Sequence, residues 1–222
     1  MSGDWVWLRQ IHSGFSPSAA EHQYLKETSL KEGFSHLSWD KIQTNRMKAI
    51  KLKMYKQLSH SQHHNCAYCG LPFLHIRGDR EHILPKEEYL KLIFHPYNIV
   101  LACIRCNRNV KGSHDWLKDE PKHRSFAVRG ITSKYYRYKS WHPFFHDPKN
   151  HFEFSGTDNY IIKGISDEGK HHVSFFRLDK GLMLNSRLET IEIIKKRKAS
   201  RDQRLLKAVQ ETLAYRAINS GY

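Results

Sequence analysis

The chain has 222 residues, with 37 Lys plus Arg against 22 Asp plus Glu, a formal net charge of +15 and an isoelectric point near 9.7. Such an excess suits a polyanionic partner, and no small-molecule substrate is expected to require it. The opening Met1-Ser2-Gly3-Asp4-Trp5-Val6-Trp7 lacks the basic end and apolar run of a signal peptide, and no stretch reaches the roughly 18 apolar residues of a membrane span, so a cytoplasmic protein without a membrane partner is expected.

Residues 1–36 show no clear period, and Ser13, Gly14, Ser16 and Pro17 predict an irregular start. From Ser38 to about Gln62, Ile42, Met47, Ile50, Met54 and Leu58 recur at helical intervals with basic residues between them. One amphipathic helix capped by Ser38 is predicted, its basic face read first as solvated and second as a nucleic-acid contact. Next come two identical spacings, Cys66-Ala67-Tyr68-Cys69 and Cys103-Ile104-Arg105-Cys106, which use all four cysteines. Each turn can present two thiolates, so together they close a Cys₄ zinc shell with no open position for chemistry. A reducing compartment also favours zinc over disulfides. Since the cysteine set is complete, His63 and His64 are not needed as ligands.

Between the pairs, Arg80 to Leu84 reads as a strand ended by Pro85, and Asn98 to Ala102 as a short buried strand leading into a helix that reaches Leu117. Pro121 to Asp147 interleaves Arg and Lys with Tyr and Trp, including Tyr138 and Trp141, which suits either phosphate and base contacts or packing on the core. Past Pro148, His151 to Phe154, Tyr160 to Ile162 and Val173 to Phe176 suggest short strands. A final helix from Ser186 to about Ala217, capped by Asn185, is predicted to bury Leu188, Ile191, Ile194, Leu205, Val209 and Leu213 and to carry the basic run Lys195 to Lys198. The expected fold class is α+β in three segments: residues 1–62 as arm and amphipathic helix, 63–118 as a zinc-bound core, and 119–222 as a basic, aromatic extension ending in a helix.

Hydrolysis of a phosphodiester needs a water relieved of its proton and a cation beside the phosphate and the departing oxygen. His82 suits the first task because histidine titrates near neutrality. Glu81 offers hard carboxylate oxygen for magnesium or manganese, and Asn107 offers a neutral amide oxygen. Neighbours on a strand face opposite sides, so Glu81 and His82 share one site only if the strand twists or a helix crosses its edge. Arg105, Arg108 and Lys111, on or near the predicted motif helix, are candidate phosphate contacts. His75, His95 and His114 flank the motif, and Asp79 is either a partner of the metal ligands or a turn residue.

Glu81-His82-Ile83-Leu84-Pro85, then Asn98, then Cys103-Ile104-Arg105-Cys106-Asn107, then Lys111-Gly112, in that order over residues 63–114, resemble the HNH endonuclease family with its ββα-metal fold. The resemblance implies that His82 is the general base, that Asn98 holds the loop and helps orient it, and that Glu81 and Asn107 bind a catalytic Mg²⁺ or Mn²⁺. The four cysteines would bind structural Zn²⁺ and the substrate would be DNA, cut to 3′-hydroxyl and 5′-phosphate ends. Many members carry Asp in place of Glu81 and His in place of Asn107. Cys66-Ala67-Tyr68-Cys69-Gly70, Trp141 to Pro148 and Leu182 to Leu188 are similar to the HNH nucleases of retron and Septu-type phage-defence systems, which implies a companion ATPase. Two other readings remain: a zinc-stabilised nucleic-acid-binding module without cleavage, and an adaptor docking a partner through residues 120–150 and the last helix.

Overall fold

The computed structural model describes residues 7–74, 77–118 and 137–219, with side chains described up to residue 211. The arm from residue 7 to 18 has no regular structure but buries Trp7, Leu8, Ile11 and Phe15, and the Ile11 N–H donates to the Pro143 carbonyl at 2.8 Å. The irregular start is shorter than expected, because α1 runs Ala19–Ser29. Its signal is the spacing Ser18-x-x-Glu21, whose two side chains reciprocally satisfy backbone N–H groups at the helix start.

The single helix expected from Ser38 is two helices, α2 (Ser38–Lys41) and α3 (Asn45–Ser61). Ile42 is extended, and the Thr44 hydroxyl accepts from the Met47 N–H at 3.2 Å. Thr44 therefore caps the long helix in place of Ser38. The face expected for α3 is the one buried, with Met47, Ile50, Met54 and Leu58 on one stripe.

Strand β1 (Asp79–His82) pairs antiparallel with β2 (Ile99–Ala102), placing Glu81 opposite Val100 and His82 opposite Ile99. The chain then enters a helical segment, Arg105–Lys111, wound with π-type spacing, since the Gly112 N–H bonds the Asn107 carbonyl. It ends well before Leu117 because Gly112 turns to φ +48°, a conformation that suits glycine.

A second antiparallel pair, β3 (Phe152–Ser155) with β4 (Ile161–Gly164), matches the expected strands. Val173 to Phe176, predicted as strand, belongs instead to helix α4 (Asp167–Phe176). The Ser166 hydroxyl caps α4 by accepting from the Gly169 N–H, and Gly169, His172, Val173 and Phe176 follow a helical period. The Val and aromatic content of that run suggested a pleated strand, but the period from 169 to 176 is that of a helix.

Helix α5 spans Gly181–Asn219, so Asn185 lies inside it and caps nothing. It buries Met183, Arg187, Thr190 and Ile191, while Leu188, Leu205 and Val209 are exposed and Ile194 is half-buried, contrary to the predicted face. Leu213 lies outside the described side chains. The predicted apolar stripe was drawn along the whole helix, but only its first turns have a core to face. Arg187 anchors those turns by donating to the Tyr160 and Leu178 carbonyls.

One continuous set of buried side chains runs from Trp7 to Ile191, drawing on all three segments. Tyr68, inside the first cysteine turn, stacks on Phe176 at 5.1 Å and meets the edge of Trp116. His172 Nε2 donates to the Tyr68 carbonyl at 2.7 Å while the Ser140 hydroxyl donates to Nδ1 at 2.8 Å, so α4 clamps that turn. Trp141 and Tyr138 are buried and cannot stack on bases; residues 121–136 of the basic, aromatic stretch lie outside the described residues. Among the described residues no helix is long and apolar enough to cross a membrane.

Burial also sets an acid limit. Removal from water pushes His172 down to about 3 and His142 well below the ordinary histidine value. Such a residue binds its proton more readily in the unfolded chain, so stability present above about pH 6.5 is lost as the pH falls towards the folded value. We expect Tm to drop steeply between pH 6.5 and 4, His172 alone costing on the order of 3 kcal/mol and His142 adding to the loss. A flat Tm profile over that range would mean that these rings already carry protons in the folded state.

Candidate metal centre and adjoining cleft

The two cysteine turns converge. The Sγ atoms of Cys66, Cys69, Cys103 and Cys106 all lie within 4.8 Å of one another, with Cys69 and Cys103 4.0 Å apart, and none is in a disulfide. A tetrahedral zinc with Zn–S bonds of about 2.3 Å needs sulfurs about 3.8 Å apart, so the donor set fits this metal in number, type and spacing. The Cys103 N–H donates to Cys66 Sγ at 3.3 Å and the Cys106 N–H to Cys103 Sγ at 3.5 Å, contacts that favour thiolate. The sulfurs are close enough to share protons: hydrogen bonds from Cys106, Cys66 and Cys69 hold Cys103 far below an ordinary thiol, while contact with Cys103, above all, raises Cys69 and Cys106. Gly70 closes the first turn at φ +74°, where an added Cβ would stand 1.9 Å from the Trp7 carbonyl oxygen. The N-terminal arm therefore lies directly on the cysteine turn. Among the described residues these cysteines are the only group of three or more His, Cys, Asp or Glu placed to hold a metal ion.

Beside this centre, a cleft of about 410 Å³ is lined by Glu81, His82, Asn107, Asp79 and Trp39, among others. His82 is buried, and the edge of its ring meets Trp39 with ring centres 4.6 Å apart. Its Nε2 lies 3.0 Å from the Ile93 carbonyl oxygen, which can only accept. Nε2 therefore carries the hydrogen, and Nδ1 keeps the lone pair. Burial lowers the His82 pKa to about 4, outweighing the Ile93 hydrogen bond that favours the charged ring, so at neutral pH the imidazole is unprotonated.

Asn98 does not bond the imidazole directly. It is fully buried, its Oδ1 accepts from the Leu84 N–H at 2.8 Å, and its Nδ2 donates to the Leu84 and Leu92 carbonyls. These bonds fix both ends of the loop that delivers the Ile93 carbonyl to His82. Asn98 thus positions His82 through the loop.

No protein family, curated protein or solved structure matches this chain.

On β1, Asp79 and Glu81 face the helical segment, whereas Arg80 and His82 face α3 and Trp39, as the alternation of a strand requires. All four line the same cleft because β1 is the edge of a two-stranded sheet and the cleft runs along that open edge. This resolves the difficulty raised by adjacent Glu81 and His82. Lys111, expected to contact phosphate, is instead fully buried, 2.8 Å from Glu81 Oε1. Desolvation raises the Glu81 pKa, and the charge and hydrogen bond of the Lys111 ammonium oppose that rise.

Asn107 Nδ2 donates to Asp79 Oδ2 at 3.1 Å, which leaves the amide oxygen as the atom able to meet a cation. Arg108 also pairs with Asp79, at 2.8 Å, while remaining largely exposed. Arg105 is half-buried with its Nη1 unpartnered. Sequence reasoning missed Trp39 and the Ile93 carbonyl, which have no motif signal, and left the role of Asp79 open. Its position two residues before Glu81, hence on the same strand face, was the available clue.

Proposed function

We propose that this chain is a metal-dependent endonuclease of the HNH type that hydrolyses DNA phosphodiester bonds. The observation that carries the reading is a buried, neutral His82 whose Nε2 is committed to Ile93 and whose Nδ1 retains a lone pair, in one cleft with Glu81 and Asn107. In that reading Nδ1 takes the proton from a water as it attacks phosphorus, and the fixed ring needs no reorientation to do so. Glu81 and Asn107 would hold a magnesium or manganese ion, which would place positive charge beside the phosphate and the leaving oxygen. Two protein oxygens leave the rest of such a shell to water and phosphate, so the ion should bind weakly without DNA. The four cysteines would hold zinc as a support that takes no part in the reaction. By the same resemblance, the chain would serve as a cytoplasmic phage-defence effector working with an ATPase.

One observation favours the other reading, a zinc-stabilised DNA-binding module without cleavage: Lys111 already neutralises much of the charge that Glu81 could offer a cation. Supercoiled plasmid separates the two. Nicking should appear with magnesium or manganese, disappear in mild EDTA before the protein unfolds, and return on adding either ion without zinc. Glu81→Gln is the informative variant, because it keeps an amide oxygen for the buried Lys111 ammonium to donate to, whereas Glu81→Ala removes the acceptor as well as the counter-charge. It should lower the metal-restored rate by about 10²-fold, the scale of a lost electrostatic group, whereas Glu81→Asp should retain activity. Undiminished nicking by Glu81→Gln, or by the parent under thorough chelation with zinc still bound, would rule this mechanism out.

A further inference from the structure

The cleft does not end at β1. A second trough, of about 480 Å³, continues from it past the start of α3, and Asp40, Asp79 and Arg80 line both. Their charges differ. The cleft sets Asp40, Asp79, Glu81 and Glu87 against Arg80, Lys86 and Arg108, while the trough sets Asp40 and Asp79 against Lys48, Lys51, Arg77 and Arg80. The two acids of the shared wall are engaged from outside the trough: Asp40 by Lys86 at 2.9 Å, and Asp79 by Arg108 at 2.8 Å and by Asn107.

Among the described residues none of the four trough cations is in an ion pair. Lys51 Nζ donates to the Trp39 carbonyl, Arg80 Nη1 reaches the Lys51 carbonyl at 3.3 Å, and the buried Arg80 Nε has no partner. Arg77 rests over the Tyr55 ring at 4.0 Å, which holds its guanidinium at the rim. Burial, and then the neighbouring charge of Arg80, lower the Lys51 pKa. Asp40 offsets part of the repulsion on Lys51, and Asp40 and Asp79 part of that on Arg80, but four cations face two acids in one trough, and an anion placed among them relieves the repulsion that remains.

We infer that the trough formed by Lys48, Lys51, Arg77 and Arg80 binds the phosphate backbone of DNA next to the phosphate held in the His82 cleft, fixing the strand without reading its sequence. Continuity with the cleft selects a polymer over a free anion, since a strand in one must run on into the other. The inference takes its substrate from the nuclease reading, but the contact it describes is made whether or not the strand is cut. It also gives the basic face of α3 a role beyond solvation, through Lys48.

The test uses the full-length His82→Ala protein, labelled 20-base-pair duplex and fluorescence anisotropy across a salt series. Adding Lys48→Ala and Arg77→Ala, both exposed, should lower affinity on the order of 10-fold and reduce the slope of log K against log salt by about 2, equally for unrelated sequences. Lys170→Ala with Lys180→Ala removes the same charge from elsewhere on the surface and should change neither appreciably. Zinc content and circular dichroism should match across all three proteins. Inorganic phosphate should compete no better than chloride at equal ionic strength.

Equal losses from both pairs would overturn the trough, as would displacement by millimolar phosphate or failure of His82→Ala protein to bind duplex. Plasmid nicking by the parent judges the nuclease reading independently. A trough-dependent binder that never nicks would keep this inference and discard that reading.

Discussion

Replacing Cys69 by serine is expected to empty the four-sulfur centre and unfold the protein. Structural zinc contributes about 10–16 kcal/mol to the folding of small metal domains, as large as the whole stability of about 5–15 kcal/mol of a typical domain. Here the centre ties the first cysteine turn to the start of the helical segment, beside the hydrogen bonds that Ala67 and Gln62 make to Leu101 of β2. Cys66 and Cys69 sit on a turn under the N-terminal arm, and Cys103 and Cys106 open the helical segment that positions Asn107 and Lys111. Tyr68 carries the effect further, since its ring packs on Phe176 and Trp116 and its carbonyl accepts from His172. Loss of metal should therefore disturb α4 as well as the cysteine turns. Elemental analysis should find about one zinc per parent chain, since four thiolates fill one tetrahedral site, and none in the variant. Near-ultraviolet circular dichroism from the buried Trp116 and Trp141 should collapse with it. A Cys69→Ser protein that keeps its aromatic signal and its Tm would show that the core stands without the metal.

What could be read in the sequence depended on whether a feature is local. The cysteine turns, the flanking strands and the α3 stripe are spacing signals a few residues long, and the chain folds as those spacings direct. The hydrogen on His82 Nε2, by contrast, is fixed by a carbonyl 11 residues away. Lys111 was misjudged for a related reason: a lysine on a basic helical surface is usually solvated, and only the strand crossing beneath it brings Glu81 within 2.8 Å. Val173 to Phe176 failed through composition, since Val and Phe favour a pleated surface, and the Ser166 cap decided the element. The second half of α5 failed through context, because an apolar stripe predicts burial only where a partner surface exists; Leu205 and Leu206 remain exposed.

His82→Ala is expected to leave zinc content and DNA affinity nearly unchanged and to lower plasmid nicking by about 10²- to 10⁴-fold, the range for a lost general base. The pH profile then tests the assignment more sharply than the loss itself. A general base must be unprotonated in the free enzyme, and burial holds His82 that way down to about pH 4. The parent's kcat/KM should therefore stay level across pH 6 to 8 and fall only as the pH approaches 4, in whatever part of that range the fold survives. An ordinary exposed histidine would give an acidic limb near pH 6.5. A limb there, or equal losses of binding and cleavage in His82→Ala, would place the base elsewhere.

Asn98→Ala supplies the contrast. Asn98 holds the loop carrying the Ile93 carbonyl through buried hydrogen bonds to Leu84 and Leu92, so its loss should cost about 1–3 kcal/mol for each buried group left unpartnered. Activity should fall with it, because a loosened loop no longer fixes the hydrogen on Nε2. The two variants are thus expected to separate by proportion: His82→Ala loses one buried hydrogen bond, to Ile93, and nearly all cleavage, whereas Asn98→Ala loses three and keeps a folded fraction that still cuts slowly. A stable, fully inactive Asn98→Ala would instead put the asparagine in direct contact with the reacting groups.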